Sequence, residues 1–310
     1  MHTLPLLFAV LASSTLAPAP SAAVPAAHHG TFKPSRFSVV VEGTGDDVIL
    51  IPGLSSTREV WSATAARLGR HHRVHLIQVK GFGEPAGPNA SGPVLQPFVD
   101  DLAAYIRANH LHRPAVIGHS MGGLAALMLG AQAPKLPGKL MIVDSFPFIG
   151  PVFGAPDIAT VTPRAEQLRS ALLANAAKVT PDFAAADCHG SATAPEKVVG
   201  NMTNSVLGQC VLKHGALASD LRVVAQAMYD DMTTDMRPRL KDISAPVTML
   251  YPQDDRLVGK AEAEELYKAS YAGASDISFV RVPGSYHFVM LDQPELFAVA
   301  VDQFLGRTSN

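Results

Sequence analysis

The chain has 310 residues, of which 47% are hydrophobic and 17% charged, and carries a formal net charge of −2 at pH 7. That size holds one large α/β domain with room for an insertion. The near balance of charge leaves no electrostatic footprint for nucleic acid, and no run of like charges marks a disordered tail or a polybasic membrane anchor.

The chain opens with a short apolar run from Leu4 to Leu11, then Ala-, Ser- and Pro-rich sequence with a small-x-small site at Ser21-Ala22-Ala23. This is the pattern of a secretory signal peptide, and the run is too short to span a bilayer. The expectation is a signal peptide over 1–23, cleaved after Ala23, a flexible lead-in over 24–36, and a secreted or periplasmic location. Strand and helix patterns then alternate, as a parallel sheet requires. Phe37 to Glu42 and Val48 to Ile51 read as strands, Glu59 to Leu68 as a helix, Val74 to Val79 as a strand and Val99 to Ala108 as a helix. Val116-Ile117 ends a further strand, a helix follows from Leu124, and Leu140 to Val143 is a strand again. From about Phe146 the alternation lapses into helical stretches, Ala165 to Ala177 and Leu221 to Met228, broken by Pro- and Gly-rich joints. It resumes with strands at Val247 to Tyr251 and Ile277 to Val282 and helices over Ala261 to Tyr271 and Pro294 to Phe304.

The chemistry centres on Gly118-His119-Ser120-Met121-Gly122, a G-x-S-x-G sequence set between a strand and a helix. In that context the turn is so sharp that a Cβ at Gly118 or Gly122 would meet neighbouring backbone, and the strain presents the Ser120 hydroxyl. A serine hydroxyl is a poor nucleophile at neutral pH and needs a base beside it. A carboxylate and an imidazole each follow a later strand, in the order that such an elbow needs. Asp254 and Asp255 follow the strand at Val247, and His287 follows the strand at Ile277.

With these pieces in place the chain resembles the α/β-hydrolase superfamily, in its cap-bearing serine esterase-like branch. The residues that carry the likeness are Ile51-Pro52-Gly53-Leu54, Gly118 to Gly123, Asp254/Asp255 and Gly284 to His287. The resemblance implies a mostly parallel central sheet flanked by helices, with core over 37–145 and 238–310 and a helical cap over 146–237. It also implies a triad of Ser120, Asp255 and His287. The acid of this family usually lies three residues after a glycine that ends the strand; Pro252 holds that place here, and the count gives Asp255. Asp254 is the second candidate. Asp144, after Leu140 to Val143, can supply the acid as in some relatives, but by default reads as a turn residue. The oxyanion donors implied are the backbone N–H groups of Met121 and Leu54.

No cofactor or metal is expected, because H-E-x-x-H, C-x-x-C and G-x-x-x-x-G-K-[ST] spacings are all missing from the sequence. The pairs and triplet His28-His29, His71-His72 with His75, and His110 with His112 read as solvated loop or helix-end residues, and His119 as packed or pocket-lining. Cys188 and Cys210 close a loop that an oxidising compartment can lock, a contribution of roughly 3 kcal/mol in the loop-entropy model. Candidate pocket residues are Phe146, Phe148, Phe153, Met202, Met228 and Met232. A substrate ammonium could meet Asp230 or Asp231, whose default reading is solvated surface. The expected function is hydrolysis of a carboxylic ester of a small or medium apolar acyl group through an acyl-enzyme, with a small-molecule substrate as partner and no stable membrane anchor. The alternatives are a peptidase or amidase of the proline-iminopeptidase type and a ligand-binding protein without turnover.

Overall fold

Strand β1 (Phe37–Glu42) pairs antiparallel with β3 (His72–Val79), which lies parallel to β2 (Asp46–Ile51). The computed structural model describes residues 32–184, 188 and 202–306; the expected signal peptide and most of the lead-in lie outside them. Five more elements carry the chain through its first half: α1 (Ser62–Leu68), α2 (Leu95–Ala108), β4 (Ala115–His119), α3 (Met121–Gln132) and β5 (Lys139–Val143). Three helices follow, α4 (Ile158–Ala176), α5 (Val206–Leu217) and α6 (Leu221–Thr233). The sheet then resumes with β6 (Val247–Gln253), α7 (Lys260–Ser270), β7 (Ile277–Pro283), α8 (Val289–Asp292) and α9 (Pro294–Leu305). The strand order is β1-β3-β2-β4-β5-β6-β7, and every pair but the first is parallel.

Both faces of the central strands are covered, which is why they read as continuous apolar runs. Ile49, Ile51, Leu140 and Ile142 pack with α2, α3 and α7, while Val48, Leu50, Met141 and Val143 pack with α1, α8 and α9. The two sets alternate along each strand because successive side chains leave a strand on opposite faces. Trp61, fully buried, and Phe297, its tilted neighbour at 6.0 Å, belong to the second set.

The sheet reverses its direction of growth at β2. The chain goes from β2 to β3 on one side and from there to β4 on the other, so the loops after β2 and β4 part at a crevice. Open α/β sheets bind ligands at that point. The helices between β5 and β6 lie across the same edge. Each has a capped start: Asp157 Oδ1 accepts the Thr160 N–H at 2.8 Å, Ser205 Oγ the Gly208 N–H at 2.9 Å, and Asp220 Oδ1 the Arg222 N–H at 3.0 Å. Helices α4 and α6 pack along each other, and a disulfide between Cys188 and Cys210, with 5.6 Å between their Cα atoms, ties the chain before α5 to that helix.

Two of the loop histidines of the sequence reading are strand residues. His72 is buried in β3 because the strand starts earlier than its apolar run, and His75 is buried within that run. His75 is held on both ring nitrogens, by the Tyr105 hydroxyl at 2.7 Å and the Asp47 carboxylate at 2.9 Å. Burial lowers its pKa, so the imidazole is a neutral bridge between a phenol and a carboxylate. His71, by contrast, is exposed.

Candidate active site

Ser120 stands between the end of β4 and the first residue of α3 with φ 53° and ψ −125°, a region that L-residues rarely occupy. Two glycines make the turn possible. A Cβ on Gly118 would lie 2.2 Å from the Gly122 carbonyl oxygen, and one on Gly122 would lie 2.5 Å and 2.6 Å from the carbonyl oxygens of Ile51 and Pro52. The strained serine is secured on both sides: its N–H donates to the Val143 carbonyl at 3.0 Å, and its own carbonyl accepts the Gly123 N–H at 2.7 Å.

The loop after β2 lies directly against this elbow. A Cβ on Gly53 would come within 3.0 Å of both the Ser120 Cβ and the His119 Nδ1. Leu54 follows in the wall of the cavity above Ser120. Met121 opens α3, where helix geometry leaves the first N–H groups without intrahelical acceptors. The two backbone donors named from sequence thus sit on segments in backbone contact with each other, on either side of the nucleophile.

His287 comes from the loop after β7. Its Nδ1 is 2.6 Å from Asp144 Oδ2, at the end of β5, which leaves Nε2 for a second partner. Asp144 itself has φ 43°, and its N–H extends the ladder to the Leu250 carbonyl at 2.9 Å. Its other oxygen accepts the hydroxyl of Tyr267 on α7. Tyr267 is buried between the rings of Phe146 and Tyr251, at centroid distances of 4.9 Å and 4.7 Å, and its pKa is raised far out of reach by burial and by the adjacent carboxylate. The phenol is therefore a fixed donor that holds Asp144 as an acceptor.

The acid on the histidine is Asp144, and this corrects the assignment of Asp255. Strand β6 runs on to Gln253, paired with Pro283, so the residues after it are carried past the histidine loop. Asp255 is exposed on that turn and accepts a hydrogen bond from Gln253 Nε2 at 2.7 Å. Asp254 is engaged by Arg256 through both oxygens, at 2.8 Å and 2.6 Å, and the guanidinium holds its carboxyl down at about 2. Neither reaches His287.

Sequence reasoning gave His119 no definite role, and the structure gives it one. It is fully buried, its Nε2 lies 3.0 Å from the His287 carbonyl oxygen, and the two rings are 4.5 Å apart. To donate to that carbonyl Nε2 must carry the proton, and burial depresses the pKa well below the usual range, so His119 is neutral. It ties the residue before the nucleophile to the backbone of the base. Tyr267 was missed altogether; an aromatic on a half-buried helix carries no signal of what its hydroxyl meets.

These groups share one cavity of about 560 Å³, lined by Ser120, His287, Asp144, Gly53 and Leu54 at its floor and by residues of the inserted helices above. Phe146, Phe153, Met202, Met228 and Met232 are in its wall. Phe148 is not: it is buried beneath the Arg237 guanidinium, 4.4 Å from its ring centre. Asp231 faces the cavity, whereas Asp230 caps α2, accepting the Val94 and Leu95 N–H groups at 2.7 Å and 3.0 Å.

Residues 48–300 match the model of the alpha/beta hydrolase family. The pimeloyl-[acyl-carrier protein] methyl ester esterase of Vibrio cholerae is 27% identical over 277 residues, covering 86% of this chain and 97% of its own, and that of Pectobacterium carotovorum is 26% identical over 264 residues, covering 85% and 96%. Among solved structures, a thermophilic esterase from Thermogutta terrifontis superposes with a TM-score of 0.67 at 21% identity over 87% of this chain and 93% of its own. An enol-lactonase from Burkholderia xenovorans gives 0.65 at 17% over 87% and 96%. The strand order, the elbow and the matched span agree: this chain is a member of the alpha/beta hydrolase family.

Proposed function

We propose that the protein hydrolyses carboxylic esters with an apolar acyl group, through an acyl-enzyme on Ser120. The observation that carries this reading is the line from Asp144 to His287 Nδ1 beside a serine held at a strained strand-to-helix turn in the same cavity. His287 Nε2 takes the hydroxyl proton as Ser120 Oγ bonds to the ester carbonyl carbon, and Asp144 stabilises the imidazolium that forms. The backbone N–H groups of Leu54 and Met121 receive the oxyanion. The tetrahedral species collapses as the carbon–oxygen bond to the alcohol breaks and Nε2 returns the proton to it. Water then adds to the acyl-enzyme by the same route, with His287 again as base.

The substrate's apolar character follows from the walls, in which Ile149, Leu168, Met228 and Met232 surround the space above Ser120. The relatives' activity on methyl esters supports an ester over other acyl compounds, and their acyl-carrier substrate is not carried over to this chain. A cysteine pair joined in a disulfide supports export to an oxidising compartment, as the N-terminal pattern proposes.

Aryl esters of straight-chain acids test the reading. From acetyl to hexanoyl, kcat/KM is expected to rise about threefold to fourfold per methylene, as each is taken out of water. Ser120→Ala is expected to remove turnover to the background rate. Wild-type turnover no faster than that of Ser120→Ala would defeat the reading, and a flat or falling chain-length series would defeat the apolar acyl site.

A further inference from the structure

One carboxylate in the cavity wall has no use in the hydrolysis just described. Asp231 lies on α6 beside the Met228 and Met232 that line the pocket. Among the described residues its carboxylate accepts no hydrogen bond and pairs with no cation. The neighbouring acids are fully engaged: Asp230 takes two backbone N–H groups and the Gln226 amide, and Asp144 takes His287 and Tyr267. Among the described residues no Lys or Arg lines the cavity. Burial pushes the Asp231 carboxyl up to about 7, against the pull of His287 and with a push from Asp230. Asp231 is half-buried and faces the cavity, and a carboxylate held in largely apolar surroundings is costly unless a donor or a cation meets it.

We propose that Asp231 is the specificity-determining residue of this cavity and that it selects ester substrates bearing an ammonium group. The ligand's cation supplies the partner that the protein withholds, while the rest of the substrate meets apolar side chains. An anionic group in the same place would meet like charge with nothing to offset it. The cavity thus favours cationic over neutral esters of the same shape, and neutral over anionic ones. This inference rests on the ester-hydrolase reading above.

Charged and uncharged esters of equal shape test it. One pair is choline butyrate and the butyrate ester in which carbon replaces the quaternary nitrogen. The other carries the trimethylammonium group, or its tert-butyl counterpart, at the end of the acyl chain of an aryl ester. In at least one pair, the kcat/KM ratio of cationic to neutral ester is expected to be about tenfold or more in the wild type, the scale of a charge pair in a partly desolvated site. The ratio should fall to about one in Asp231→Asn and be kept in Asp231→Glu. Because each ratio is internal to one variant, a loss of overall activity or of folded protein cancels. A wild-type ratio near one in both pairs overturns the inference, as does a preference that survives Asp231→Asn. If the wild type hydrolyses neither pair but turns over the straight-chain aryl esters, the cationic selectivity alone is lost. If it hydrolyses no ester at all, the ester-hydrolase reading falls first.

Discussion

Asp144→Asn is expected to lower kcat/KM on any ester that the protein hydrolyses by about ten-thousandfold, the scale set by loss of the triad carboxylate where the geometry is otherwise kept. The amide still reaches His287 Nδ1, but it no longer fixes the tautomer that leaves Nε2 bare, and it cannot stabilise the imidazolium. Asp255→Asn should stay within a few-fold of the wild type, since that residue is exposed and, among the described residues, accepts a hydrogen bond only from Gln253. Steady-state kinetics on one aryl ester, with circular dichroism to show that both variants fold, compares the two directly. A collapse in Asp255→Asn with Asp144→Asn near normal would mean that the histidine loop takes another arrangement during turnover.

The second large effect is expected at Gly122. Its Cβ would press on the carbonyl oxygens of Ile51 and Pro52, which are backbone atoms that cannot swing away. Gly122→Ala must therefore push the loop after β2 away from the elbow and take the Leu54 donor with it. Overpacking of this sort costs about 3 kcal/mol, or a fall of roughly 6 to 12 °C in Tm for a domain of this size. The displaced donor should also lower kcat by about a hundredfold, the lower end for loss of one oxyanion partner. Gly259→Ala, where a Cβ meets nothing within 4 Å, is the control and should change Tm little. An unchanged kcat in a folded Gly122→Ala protein would remove the loop after β2 from the oxyanion site.

The elbow was legible in the sequence because its determinants are local. Strand, glycine, serine, glycine and helix occur within a dozen residues, and the clash that demands glycine at 118 lies within that stretch. The central strands were legible for a similar reason, since burial on both faces writes an unbroken apolar run. The triad acid was not, because Asp144 and Asp255 both follow strands and their local sequences do not separate them. What separates them is non-local: β6 continues through Gln253, and the histidine loop reaches back across the sheet edge to the end of β5. His72 and His75 misled for a related reason, as polar residues in a strand read like loop, and the Asp47 and Tyr105 that receive His75 are distant in sequence. Phe148 and Asp231 exchanged roles with respect to expectation. The aromatic, on the loop after β5, is buried under Arg237, and the acid on α6 faces the cavity, placements that single-residue hydrophobicity does not encode.

Covalent labelling by a serine-directed fluorophosphonate, read by peptide mapping in the wild type, His287→Ala, Asp144→Asn and Asp255→Asn, tests whether Ser120 is activated by His287 and Asp144. Modification is expected at Ser120 in the wild type and in Asp255→Asn, at similar rates, and at most slowly in the other two. Labelling elsewhere in the wild type, or a Ser120 that reacts as fast in Asp144→Asn as in the wild type, would contradict that activation.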